Sequence, residues 1–403
     1  MLKSAHNLVK SVGKKLKLDD ATVEKLLKAD AEHQFEISLK SGKQFKAYRV
    51  QHSNKLGPYK GGIRFHPRVN LDEIRTLATL MSLKTAAVGL PLGGSKGGVT
   101  VDPKVLTQDE LEELSRKYVQ HLQSHIGPAK DVPAPDVNTN AQIMDWMIDE
   151  YQNLTGNLSQ ASFTGKSLTS GGSEGRDEAT GRGGVIALRE LLMLQGLSLQ
   201  HKGDQVLRFA VQGFGNVGSN FAIVAEQEQP NWKLIAASDS GATIFDSEGL
   251  SASSLAAFKK QAGRFSQYKN AQVLNSDAIL FLEVDVLVLA ALEDAITNKN
   301  MQQVKARLIV ELANGPINET AYGYLAKKGI TVLPDIITNA GGVIVSYLEW
   351  LQNKADERWT RAKVNTELEQ YMIKAISEVY KTSSSQNLTL KEAAIMLALK
   401  RLT

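Results

Sequence analysis

The chain has 403 residues, 42% of them hydrophobic and 22% charged, with a formal net charge of +4. That length allows two domains with full cores, and so small a charge does not call for nucleic acid or an acidic membrane surface as partner. The absence of cysteine excludes a disulfide framework, a thiolate zinc site and a thiol nucleophile, and suits a reducing, cytoplasmic setting.

Residues 1–17 are lysine-rich and loosely amphipathic, without the apolar core of a signal peptide, and predict a surface helix. Residues 21–29 complete a helical opening. Phe35, Ile37 and Leu39 alternate with polar residues before Ser41-Gly42, and residues 44–50 follow, which predicts a hairpin. Asn70 with Glu73 three residues on is a capping-box variant opening a helix over 71–88. Thr107 and Glu110 repeat the device before a helix running to about residue 126. Residues 131–140 read as a loop stiffened by Pro133 and Pro135, with a helix starting near Thr139. No apolar run is long enough to span a bilayer. The most apolar stretch, 278–292, is interrupted by Glu283 and Asp285 and reads as buried strand.

Between residues 57 and 98 the chain places Lys60, Lys84 and Lys96 among repeated glycines. Lys60 and Lys96 read as loop residues. Lys84 falls on the predicted helix, one turn after Leu80 and Met81. Glycine lets backbone approach a ligand closely, and lysine brings a mobile positive charge. Several ammonium groups around one pocket suit a small substrate with more than one carboxylate; singly, each lysine is more readily read as an exposed surface residue. Asp136 lies near a predicted helix start, where a carboxylate is favoured by the helix dipole with or without a catalytic task.

Residues 155–180, rich in Gly, Ser and Thr, read as the crossing between domains. Thr180 and the glycines after it open a helix to about residue 194. A strand over 205–211 leads into Gly213-Phe214-Gly215-Asn216-Val217-Gly218, then a helix, then a strand over 233–238 ending at Asp239. This is G-x-G-x-x-G between strand and helix with an acid after the next strand, the dinucleotide-binding arrangement. Asp239 stands where a ribose hydroxyl is expected, or is simply a strand-end turn residue. Strands over 284–292, 307–312 and 330–333 alternate with helices and predict a parallel, doubly wound sheet. Asn314 and Asn339 follow strands, in position to reach a carboxamide or ribose or to make ordinary turns. From residue 342 the chain is helical, with Ser346 one turn in.

With these motifs in hand, the chain resembles the glutamate/leucine/phenylalanine/valine dehydrogenases. The matching segments are Tyr48-Arg49-Val50-Gln51-His52 through Tyr59-Lys60-Gly61-Gly62-Ile63-Arg64-Phe65-His66-Pro67, then Lys84-Thr85-Ala86, 91–98, 133–139, 180–183, 213–218 and 339–350. The resemblance implies an α/β fold: an N-terminal substrate and oligomerisation domain (1–165), a Rossmann-like dinucleotide-binding domain (166–345) and C-terminal helices (346–403) partly packing back on the first. It implies Lys96 and Asp136 as catalytic residues, Lys84 for an α-carboxylate, and Lys60 with Ser346 for a side-chain carboxylate. It places the cofactor on Thr180, Gly213, Phe214, Gly215, Asn216, Val217, Gly218, Asp239, Asn314 and Asn339, with no metal. Relatives acting on leucine or phenylalanine have an apolar residue in place of Lys60, so the implied reaction is L-glutamate, water and NAD or NADP to 2-oxoglutarate and ammonium. Asp239 would repel a 2′-phosphate and puts NAD slightly ahead. A cytoplasmic homohexamer is implied, with neither nucleic acid nor membrane as partner. The alternatives are a branched-chain or aromatic amino-acid dehydrogenase, or a catalytically silent nucleotide-sensing protein on the same scaffold. Three segments depart from the usual pattern: Leu289 and Leu312 replace proline and glycine, and 167–173 carries extra residues.

Overall fold

The computed structural model describes residues 2–196 and 206–403. The expected helix start at Met1 and strand start at Gln205 lie outside the described residues. The chain forms two compact units: Met1–Arg176 with Val343–Glu367 and Ile395–Thr403, and Asp177–Gly342 with Leu368–Ala394.

The first unit begins with helices α1 (Leu2–Lys15) and α2 (Asp20–Leu27). Strands β1 (Ala31–Ser38) and β2 (Gln44–Ser53) form the expected antiparallel hairpin. Then come β3 (Tyr59–Phe65), α3 (Leu71–Ala87), β4 (Gly94–Val99), α4 (Gln108–Leu122), β5 (Asp131–Pro135) and α5 (Ala141–Thr155). The sheet runs β1-β2-β4-β3-β5, with β4 and β5 parallel to β3 and β2 antiparallel to β4. Both predicted helix starts are capped as expected: Asn70 accepts from the Glu73 N–H, and Thr107 and Glu110 make a reciprocal capping box.

Three expectations for this unit are corrected. Lys60 and Lys96 lie on β3 and β4, not in loops, and both strands are buried along most of their length. Glycine has low strand propensity, which hides them in the sequence. Here it serves close approach: a Cβ on Gly61 would stand 1.6 Å from the Ser95 carbonyl oxygen, and one on Gly97 2.2 Å from the Tyr118 hydroxyl. The supposed loop at 131–140 begins with β5, an edge strand, where prolines are tolerated because no neighbour needs their missing N–H. The following helix starts at Ala141 behind an Asn140 cap, two residues later than expected.

One face of this sheet carries the larger core, with Ile63, Phe65 and Val99 against Leu114, Tyr118, Met144 and Met147 of α4 and α5. The other face packs Tyr48 and Val50 on Ile74 and Ala78 of α3.

In the second unit, α6 (Ala179–Gln195), β6 (Leu207–Gln212), α7 (Asn216–Glu228) and β7 (Trp232–Ser238) are followed by β8 (Thr243–Phe245), α8 (Ala252–Ala262) and β9 (Gln272–Leu274). Then come β10 (Val286–Leu289), β11 (Leu308–Glu311), α9 (Glu319–Lys327), β12 (Thr331–Leu333) and α10 (Asp335–Thr338). Helices α11 (Gly341–Ala355), α12 (Arg361–Gln386) and α13 (Leu390–Leu402) complete the chain. The sheet order is β12-β11-β10-β6-β7-β8-β9; the first five are parallel and β8 runs antiparallel to both of its neighbours, β7 and β9. The antiparallel β8 is an addition to the expected parallel sheet; three-residue strands are too short to show periodicity. Within 278–292 only Val286–Leu289 is strand, and Ser276–Phe281 is a 3-10 turn. Asp285 interrupts the apolar run because its buried carboxylate accepts the Arg208 N–H at 2.8 Å. Among the described residues no helix is long and apolar enough to cross a membrane.

Candidate active site

Strand alternation sets up the candidate catalytic face of the first unit. Lys96 is paired with Val50, and Arg64 with Gly98, so Lys60, Arg64 and Lys96 share the sheet face on which α3 packs. Helix α3 carries Lys84, half-buried in its last turn. Lys60 and Lys96 are only 2% and 6% exposed.

Asp136 follows β5 and is fixed by a turn, its N–H donating to the Thr139 hydroxyl at 2.7 Å. One carboxylate oxygen accepts from the Lys96 ammonium at 2.7 Å and the other from Arg64 Nε at 2.7 Å. Arg64 is anchored in turn by Glu73 at 2.6 Å. Burial alone would raise the Asp136 pKa, but Lys96 and Arg64 outweigh it and hold the carboxyl well below the usual range. The result is a carboxylate and an ammonium in contact, ready to exchange protons with a substrate placed on them.

The surroundings of Lys60 differ. Among the described residues its ammonium has no hydrogen-bond or ion-pair partner. Burial and the nearby Arg176 and Arg49 push its pKa down to about 7, against the pull of Glu349 and Asp131. Among the described residues, the buried Nε of Arg176 has no partner either. Glu349 on α11 is engaged elsewhere, accepting from the Gly165 N–H at 2.8 Å and from Lys166 at 2.7 Å. Ser346, 2% exposed, lies one helical turn before Glu349 on the same side of α11. Two under-satisfied cations in a buried setting require an anion.

Behind β3 and β4 lies a fixed charge pair. Arg49 is fully buried and donates to both oxygens of Asp131, to the Gly61 carbonyl at 3.1 Å and to the Ser95 hydroxyl at 2.7 Å. Gln51 adds a bond to Asp131 at 2.9 Å. One network therefore ties β2, β3, β4 and β5 together beneath the lysines.

The second unit holds the glycine turn at the point where strand order reverses around β6. Its three glycines differ in a way that suits a pyrophosphate. Gly213 has φ +87° and abuts Ala291; a Cβ on Gly218 would stand 2.2 Å from the Gly213 carbonyl oxygen; a Cβ on Gly215 would meet nothing within 4 Å. The first thus makes the turn, the last packs helix on strand, and the middle one is open. Gly215 caps α7 without a side-chain bond, leaving the helix N–H groups for phosphate. These residues fit a dinucleotide. Asn216 and Val217 start α7, and Phe214 is buried beside it. Asn339 donates to the Asn314 side chain at 3.0 Å, so the structure brings those two residues together beyond β11 and β12. Thr180 is the second residue of α6.

Comparison with known proteins agrees with both units. The Glutamate/Leucine/Phenylalanine/Valine dehydrogenase pattern matches residues 171–403, and the dimerisation-domain pattern of the same family matches 29–153. The chain belongs to this family. A glutamate dehydrogenase of Thermotoga maritima is 45% identical over 89% of this chain and 84% of its own. An NAD-specific glutamate dehydrogenase of Peptoniphilus asaccharolyticus is 39% identical over 99% and 96%. The crystal structure of a hetero-hexameric glutamate dehydrogenase from Thermus thermophilus, in its Leu-bound form, matches with a TM-score of 0.90 at 34% identity over 98% and 94%.

The segments that depart from the usual pattern of these dehydrogenases are accommodated locally. Leu312 packs into the space left by Gly184, where an added Cβ would lie 2.6 Å from the leucine side chain. Residues Leu168–Ser170 form a 3-10 turn closed by Asn353, which donates to the Gly171 carbonyl at 2.8 Å. Leu289 is the buried last residue of β10.

Sequence reasoning did not single out Arg64, Arg176, Arg49, Asp131 or Glu349. Arg49, Arg64 and Glu349 stand within matching segments, and strand alternation from Lys60 puts Arg64 on the same face. The others are joined to their partners only by distant contacts.

Proposed function

We propose that this chain interconverts L-glutamate and 2-oxoglutarate plus ammonium, with hydride transfer to or from NAD or NADP. The observation that carries the substrate is Lys60: a buried ammonium without a partner among the described residues, near Arg176, favours a ligand bringing a second carboxylate. An apolar amino acid would leave that charge uncompensated. The relatives named glutamate dehydrogenases support the same reading, and the NAD-specific Peptoniphilus protein favours NAD.

In this reading Lys84 takes the α-carboxylate, and Lys60 and Ser346 take the side-chain carboxylate with Arg176 adding positive charge. Fixing both ends orients Cα. When bound, the dinucleotide supplies the redox step, accepting the hydride from Cα. Asp136, kept ionised, takes a proton from the substrate nitrogen. Lys96 assists the water that attacks the imine carbon and donates to the oxygen that develops charge. Asp136 returns a proton to nitrogen as ammonia leaves. Thr180, the glycine turn, Asn314 and Asn339 would hold the cofactor. The enzyme is read as a cytoplasmic homohexamer; the hetero-hexameric Thermus relative supports six subunits but not their identity.

Initial rates with glutamate, leucine, valine and phenylalanine, each with NAD and with NADP, test the reading. Turnover of glutamate well above the others is expected; preferential turnover of an apolar amino acid, or none of any, overturns it.

A further inference from the structure

Asp239 immediately follows β7, and the Ser238 carbonyl before it accepts from the N–H groups of Gly213 and Phe214 at 3.0 and 2.8 Å. The carboxylate therefore stands beside the glycine turn, where an acid would accept from a ribose hydroxyl. Its acceptor sites, however, are full. Oδ1 accepts from the N–H groups of Gly241 at 2.9 Å and Ala242 at 3.1 Å. Oδ2 accepts from the Phe265 N–H at 2.9 Å and the Lys259 ammonium at 2.6 Å. A carboxylate offers about four lone-pair sites, and four donors occupy them.

Lys259 is itself held in place. It donates to the Gly263 carbonyl at 2.6 Å and lies 5.1 Å from the Phe265 ring centroid. That ring is 5.6 Å from Phe214 of the glycine turn. Of the two charges, the lysine is the more exposed, at 23% against 10% for the aspartate side chain.

We propose that Lys259, not Asp239, is the residue that sets how this chain treats the 2′-phosphate of NADP. Asp239 acts as a positioning residue: it spends its charge on Lys259 and its lone pairs on the local backbone. A 2′-phosphate then meets a compensated pair with the ammonium outward, and is not turned away. Lys259 raises NADP affinity and shields the cofactor site from the aspartate. This inference rests on the dehydrogenase reading above.

The test is equilibrium binding of NADH and NADPH, read by nucleotide fluorescence, to the wild-type protein and to Lys259→Ala, Lys259→Arg and Asp239→Asn. The wild type should bind the two within about tenfold of each other, the range left when one full charge is compensated. Lys259→Ala should weaken NADPH by on the order of tenfold or more while NADH binding holds or tightens. Lys259→Arg should keep the wild-type ratio. Asp239→Asn, which leaves the ammonium uncompensated, should tighten NADPH relative to NADH. A ratio unmoved by Lys259→Ala, or a wild type that binds NADH and rejects NADPH, overturns the inference and leaves the dehydrogenase reading standing. A wild type that binds neither overturns both.

Discussion

The Lys96 ammonium stands 2.7 Å from one oxygen of Asp136, and Arg64 Nε stands 2.7 Å from the other. The contact joins the two groups assigned to water activation and proton handling, on a sheet face of their own unit. Lys96→Ala and Asp136→Asn should each lower kcat by about two orders of magnitude or more, with NADH binding unchanged, because the dinucleotide is held by other residues. Steady-state rates beside fluorescence titration check this. Near-normal turnover in either variant removes that residue from the chemistry.

Arg64 offers a finer test of the same pair. It helps hold the Asp136 carboxyl below its ordinary range. Removing it with Arg64→Met leaves burial, which raises the pKa, opposed by Lys96 alone. If the ionised carboxylate is the active form, the acid limb of the kcat/KM profile should move to higher pH. A profile that falls in height without moving along the pH axis would mean that Arg64 only shapes the site.

In the proposed reading, Lys60 trades stability for selectivity. Its pKa is pushed down from 10.5 to about 7, first by burial and then by Arg176 and Arg49. Between those values the unfolded chain binds more protons than the folded one, so this group makes stability rise with pH from about 7 to about 10.5. Below about 7 the charged form is buried and its cost is fully present. Lys60→Met should therefore raise Tm at pH 6.5, with the gain shrinking toward pH 10, while the rate with glutamate falls far more than the rate with norvaline. An equal loss for both substrates contradicts the selectivity argument, and a Tm difference independent of pH contradicts the linkage.

What could be read in the chain beforehand follows from the range of the interactions. The caps at Asn70 and Thr107 act over three residues, and the glycine turn over six, so both stand in the sequence. The lysines of β3 and β4 were legible as a motif but not as strand residues, since glycine-rich strands carry no apolar alternation. Arg49 finds Asp131 across 82 residues of chain, and Asp239 is filled by Lys259 20 residues later. Neither pairing leaves a local pattern. The acid after the second strand could be seen; that its lone pairs were already used could not.

The Arg49–Asp131 pair carries a structural prediction. Both side chains are fully buried, and the pair bonds the Gly61 carbonyl and the Ser95 hydroxyl. Arg49→Met strands a buried carboxylate and should destabilise the protein by about 3–5 kcal/mol. The double replacement Arg49→Met with Asp131→Leu should recover part of that loss, because no lone charge remains. Thermal melts of the three proteins distinguish this from simple loss of packing, in which the double variant would be the least stable.

Glu311, fully buried at the end of β11, connects the charge balance of the second unit to the turn at Asn314-Gly315. One of its oxygens accepts from the Asp335 N–H at 3.1 Å and lies 3.5 Å from Lys391, while the other has no partner among the described residues. Asp335 in turn accepts the Gly315 N–H at 2.8 Å beside Asn314. Burial pushes the Glu311 pKa up from 4.5 to about 7, with Lys391 opposing and Asp335 adding to the rise. The folded protein therefore binds a proton here that the unfolded chain has released, and the stabilisation, fully present below about 4.5, is lost as pH rises through about 7. Glu311→Gln keeps the shape without the charge. Its Tm relative to wild type should be higher at pH 8 than at pH 5, because only the wild type must then bury an ionised carboxylate. Melting curves at the two pH values decide the matter: a constant offset would show that Glu311 is already charged throughout, its burial offset in full by Lys391.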